Sequence, residues 1–81
     1  MSVDIDGKVI GKKYTSAFEY DANKNPIYIG RAEIGTPKSS TGWAIMKLTF
    51  DVNNNPTDIQ WADGVDSLSK VWNNRASYTY S

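Results

Sequence analysis

Oxygen-bearing side chains recur at alternate positions in two places, Asp21, Asn23 and Asn25, then Asp51, Asn53 and Asn55. That spacing invites a hard cation such as calcium. A helix–loop–helix calcium site needs glycine at the sixth loop position and glutamate at the twelfth. Counted from Asp21 these positions hold Pro26 and Ala32, and from Asp51 they hold Pro56 and Ala62. The pattern fails twice. Asn and Asp also bond their own main chain and tolerate left-handed backbone, so two polar hairpin turns account for all six residues. No metal and no cofactor are expected.

Other chemistry is thin. The chain has no histidine and no cysteine, which removes the usual general base and any thiolate ligand or disulfide. Its serines have no partner to activate them, so no nucleophile–base pair can be written and no catalytic residue is expected. Arg75, beside Asn73 and Asn74 and near Asp63 and Asp66, reads as part of a salt-bridged turn. Trp43, Trp61 and Trp72, with Tyr28, Tyr78 and Tyr80, could form a stacking platform for sugars or bases. In so short a chain aromatic residues more often build the core, because they bury the most area each. The expected core or subunit-interface set is Trp43, Ile45, Leu48, Phe50, Ile59, Trp61, Trp72, Tyr78 and Tyr80, with Trp43 and Trp61 on a common core.

These residues sit on a repeated frame. Tyr20-Asp21-Ala22-Asn23-Lys24-Asn25-Pro26-Ile27-Tyr28-Ile29 returns 30 positions later as Phe50-Asp51-Val52-Asn53-Asn54-Asn55-Pro56-Thr57-Asp58-Ile59. Each copy reads as a strand end, a tight turn and the start of the next strand. Tyr14 to Tyr20 alternates with period two, placing Tyr14, Ser16, Phe18 and Tyr20 on one face. Ile27 to Ile34 predicts a second strand, with Gly30 marking a bulge or a close backbone approach. Gly35 to Gly42 is a polar loop. Trp43 to Phe50 is the longest apolar stretch and is placed centrally. Thr57 to Trp61 alternates with Ile59 and Trp61 expected inward. Leu68, Val71 and Trp72 lie at helical spacing behind Asp66, predicting a short helical turn near 66–72, and Ala76 to Ser81 reads as a last strand.

The fold class that follows is all-β: a small antiparallel meander of five to six strands, closed into a sandwich or barrel, with one short helical turn. Residues 14–81 make a single β-domain, and residues 1–13 an N-terminal arm or edge strand. A chain of 81 residues buries about 60–65% of the surface its unfolded form exposes, so oligomerisation or docking is expected to support the fold. Nine basic residues balance nine acidic ones, which gives no footprint for nucleic acid or an anionic membrane. No apolar run approaches a membrane span, and no signal-peptide pattern follows Met1. Val3, Ile5, Lys8, Lys12 and Lys13 are candidates for a docking arm onto an acidic partner.

Three segments carry a resemblance. They are Tyr28-Ile29-Gly30-Arg31-Ala32, then Trp43-Ala44-Ile45-Met46-Lys47-Leu48-Thr49-Phe50-Asp51, then Ile59-Gln60-Trp61-Ala62-Asp63-Gly64 followed by Val71-Trp72-Asn73-Asn74-Arg75-Ala76-Ser77-Tyr78-Thr79-Tyr80-Ser81. Together they resemble short structural proteins encoded by tailed bacteriophages, over roughly residues 20–81. Members of that group often carry an aromatic residue where Leu68 stands. Residues 1–19 lie outside the resemblance. It implies a virion component assembled in the bacterial host cytoplasm. The favoured expectation is a multi-copy accessory protein on the head exterior, of decoration or cement type. A neck, collar, tail or fibre-attachment component is the alternative. Its partners would be capsid, neck or tail subunits and further copies of itself, as a homo-oligomer or symmetric array. No catalytic residue is carried over. The rival of another class is a small carbohydrate-binding β-module, which requires at least two tryptophans open in one groove.

Overall fold

The computed structural model describes residues 13–81. Five strands form one antiparallel sheet: β1 (Tyr14–Tyr20), β2 (Pro26–Glu33), β3 (Thr41–Phe50), β4 (Pro56–Trp61) and the two-residue β5 (Lys70–Val71). The path is β1-β2-β3-β4, with β5 paired to β3. A 3₁₀ helix covers Trp72–Ser77. The all-β meander and the central place of β3 are as the sequence implied. The second layer is the C-terminal segment rather than a second sheet, and β1 and β4 remain the outer strands.

The 30-residue repeat is a structural repeat. In the first turn the Asp21 carboxylate accepts from the main-chain amides of Asn23 at 2.8 Å and Asn25 at 2.9 Å. In the second, Asp51 accepts from Asn53 at 2.9 Å and Asn55 at 3.0 Å. Both turns place their fourth residue in the left-handed region, Lys24 at φ 64° and Asn54 at φ 63°. Both are flanked by the same register break, where Tyr20 faces Pro26 and Phe50 faces Pro56. Both strand pairs run antiparallel, so the turns emerge at one end of the sheet. There the Asn25 side-chain amide donates to the side-chain oxygen of Asn54 at 2.9 Å.

The register decides the faces, because side chains alternate along a strand. Gly30 lies opposite Ile45 and Ala17 opposite Gly30. That face is paved with small residues, Ala17, Gly30 and Ala32, and the indoles of Trp43 and Trp72 rest on it. Their rings are 5.9 Å apart and tilted by 42°. Trp43 is 2% exposed and Trp72 4%, and with Ile45, Ala17, Ala32 and Ala62 they form the buried core. At about 25 cal/mol per Å², each buried indole contributes roughly 4–6 kcal/mol. With so few large side chains in the core, these two rings dominate its stability.

The C-terminal segment is fixed onto this face by polar contacts. Arg75 donates through Nε to Glu19 at 2.6 Å and stacks over the Trp72 ring at 4.7 Å. The Tyr80 hydroxyl donates to the Arg75 carbonyl at 2.7 Å, and the Tyr78 hydroxyl accepts from the Val71 amide at 2.8 Å. The chain end then runs along the β4 edge. The Trp61 amide donates to the Ser81 carbonyl at 3.0 Å, and the Ser81 amide returns a bond to Trp61 at 3.1 Å.

Two expected elements are displaced. The helical turn expected near 66–72 begins where that span ends, at Trp72, because Trp72 has to reach the small-residue bed around Gly30. The strand expected over 76–81 is reduced to an isolated bridge between Ala62 and Tyr80, preceded by the helix. Lys13 is exposed and its carbonyl accepts from the Ile34 amide at 3.1 Å. Val3, Ile5, Lys8 and Lys12 lie outside the described residues.

Candidate functional site

The opposite face of the sheet has no covering layer among the described residues. Met46 lies opposite Trp61 and Leu48 opposite Ile59, so β4 presents Trp61 and Ile59 here with the even-numbered residues of β3. Ile29 lies opposite Met46 and Phe18 opposite Ile29, which extends the row across all four long strands. Tyr14, Phe18 and Tyr20 stand on β1, with the Phe18 and Tyr20 rings stacked 6.1 Å apart. Ile59 is 60% exposed, Tyr20 56% and Phe18 50%. Monomeric soluble proteins rarely leave so continuous an apolar patch open, and such patches mark interaction surfaces.

Near the end of the sheet away from the turns, this face deepens into a groove of about 330 Å³, lined by Tyr14, Arg31, Ala44, Met46, Trp61, Asp66 and Leu68. Ala44 and Met46 belong to β3, between the Tyr14 and Arg31 side of the sheet and the Trp61 side. The Arg31 guanidinium stacks over the Tyr14 ring at 4.1 Å. Asp66 and Leu68 come from the loop after β4. The groove therefore combines apolar surface with one cation and one anion.

The sequence placed several of these residues differently. Ile59 is not in the core but on the open face. Trp61 does share a face with Ile59, but that face is opposite the one holding Trp43, and Trp61 is half-buried. Leu48 and Phe50 are half-buried. The reason is the odd-numbered offset of the β3–β4 pairing, which sets Trp61 against Met46 and not against Trp43 or Ile45. Trp43, Ile45 and Trp72 form the core as expected, and Tyr78 and Tyr80 pack against it with Tyr28. With Trp43 and Trp72 buried, no pair of open tryptophans is available for a stacking platform. Tyr14, Phe18, Arg31 and Met46 were not singled out from sequence, although the alternation of Tyr14, Ser16, Phe18 and Tyr20 already put those four on one face.

The six turn residues are where the repeat implied. Their carboxylates are engaged by their own main chain, and the Asn55 amide holds the Asp51 carboxyl below the usual carboxylate range. Among the described residues no group of three or more His, Cys, Asp or Glu side chains is placed to hold a metal ion. Arg75 joins Glu19, while Asp63 pairs with Lys70 at 3.2 Å, so the expected ion pair near Arg75 uses a β1 carboxylate instead of its sequence neighbours. No helix is long and apolar enough to cross a membrane among the described residues.

Compared with protein-family models, curated proteins and solved structures, the chain matches none of them.

Proposed function

We propose that this chain is a structural protein of a tailed-phage particle, present in many copies and held in place through the open face of its sheet. The observation that supports the reading is that face, with Phe18 and Tyr20 on β1 and Ile59 on β4 each half or more exposed. Burying that face against a neighbouring subunit stabilises both the contact and a domain whose own core is small. The residue pattern from Trp43 through Ser81, with its resemblance to short phage structural proteins, supplies the particle. The favoured position is the head exterior, as an accessory decoration or cement protein, ahead of a neck, collar or tail-attachment role. Sugar binding through a tryptophan pair is disfavoured, since Trp43 and Trp72 are enclosed by the fold.

The test is direct. Particles purified from infected cells should contain the chain in multiple copies, and its density in an image reconstruction should place the β1–β4 face against another protein subunit. Particles lacking the chain, or density with that face turned to solvent, would overturn the reading.

A further inference from the structure

We infer that the subunit lying on the open face is a second copy of this chain, giving a two-fold dimer in which two sheets pack face to face. The inference rests on the reading of this face as an assembly surface and names what covers it.

Four observations carry it. The first is architectural. Sheets that are apolar on both faces are stable when layered, and the usual partner of a β-sheet face is another β-sheet about 10 Å away. Here the C-terminal segment covers one face, and the other lacks its layer among the described residues. The second is size. Four strands at about 4.8 Å spacing and seven residues at about 3.3 Å rise give a patch on the order of 450 Å² per copy, or 900 Å² per pair before side-chain relief. With Leu68 and the groove walls added, the pair approaches the lower bound of stable interfaces.

The third is charge. The groove carries Arg31 and Asp66 on one apolar surface. A two-fold axis through it lets Arg31 of each copy meet Asp66 of the other, so neither charge is covered without a partner. A partner face of one sign would leave one of them unpaired, which is costly in a desolvated contact. The fourth is that one of the two sheet edges, that of β4, is obstructed. Ser81 already bonds the outward side of Trp61, so a strand from another copy cannot extend along the whole of β4. The face remains the larger free surface.

Sedimentation and light scattering on the full chain test this. The parent protein should be a dimer that dissociates on dilution from millimolar to micromolar concentration. Ile59→Lys and Phe18→Lys each place a charge on the open face without touching the Trp43–Trp72 core. Each should shift the midpoint of dissociation to at least tenfold higher concentration while the monomer keeps its circular dichroism. Arg31→Glu and Asp66→Arg should each weaken the dimer, and the doubly swapped protein should recover most of the loss. A parent that stays monomeric at millimolar concentration overturns the proposal. So does a dimer indifferent to Ile59→Lys and Phe18→Lys, or a double swap no better than its singles. The outcome is separable from the particle assignment. A dimer absent from particles defeats only that assignment, and a monomer found in particles defeats only the dimer.

Discussion

A β-carbon added to Gly30 would lie 2.5 Å from Cε3 and 2.7 Å from Cζ3 of Trp72, so the ring of one residue fills the space the other leaves empty. The ring has little room to retreat, because Trp43 is also within 3.0 Å of the same point. Gly30→Ala should therefore displace the Trp72 indole and destabilise the fold by about 1–3 kcal/mol, despite the better strand propensity of alanine. Urea unfolding of the variant checks this. Equal stability of variant and parent would mean that the two indoles are not wedged on the β2 backbone.

The three tryptophans should respond unequally to truncation. Trp72→Ala removes one of the two buried indoles and should cost about 3–5 kcal/mol, enough to unfold so small a domain. Trp61→Ala, from a half-buried site on the open face, should leave a folded protein at low concentration and lose clearly less. Thermal melts followed by circular dichroism compare them. If Trp61→Ala is as damaging as Trp72→Ala, the open face is sealed within the single chain.

Lys24 and Asn54 occupy the same left-handed position in the two turns, at φ 64° and 63°. Asparagine visits that region readily and lysine does not. Lys24→Asn should raise stability by roughly 0.5–1 kcal/mol, giving the first turn the residue that the second carries at this position. An unchanged or lowered melting temperature would count against strain at this position.

Burial pushes the Tyr80 hydroxyl above its ordinary pKa, with Tyr28 and Tyr78 adding to the shift. The folded state thus favours neutral Tyr80. The corresponding stability is fully present below the unfolded value of about 10, and it is lost as pH rises from there towards the higher folded value. Melting temperatures across the alkaline range should fall in the parent. In Tyr80→Phe the fall should be shallower from a lower starting point, since the bond to the Arg75 carbonyl is gone. Parallel alkaline limbs would show that another group controls this range.

Much of the frame was legible in the sequence, and for identifiable reasons. Period-two alternation located the four long strands, and the repeated aromatic-Asp-x-Asn-x-Asn-Pro unit located both turns, because turn chemistry depends on residues close in sequence. The assignment of faces was less accessible. Hydrophobicity favours the side of β1 that carries Tyr14, Phe18 and Tyr20, yet the core lies on the side of Ala17. What reverses the preference is a long-range fit. Trp72, more than 40 residues beyond Gly30, needs the space that a side chain at Gly30 would fill. The small residues Ala17, Gly30 and Ala32, at alternate positions facing one another, were the available signal. Trp61 was misplaced because its face depends on the parity of the β3–β4 register, which the bulge at Phe50 and Pro56 fixes.

The division of the tryptophans between the two sides of the sheet also gives the molecule two native optical reporters. Trp43 and Trp72, close together and shielded from water, should emit at short wavelength and resist quenching by acrylamide until the sheet itself comes apart. Trp61, at the mouth of the groove, should supply the red-shifted, quenchable part of the spectrum. A blue shift in that part alone, with the shielded pair unchanged, would signal occupancy of the groove without any added label.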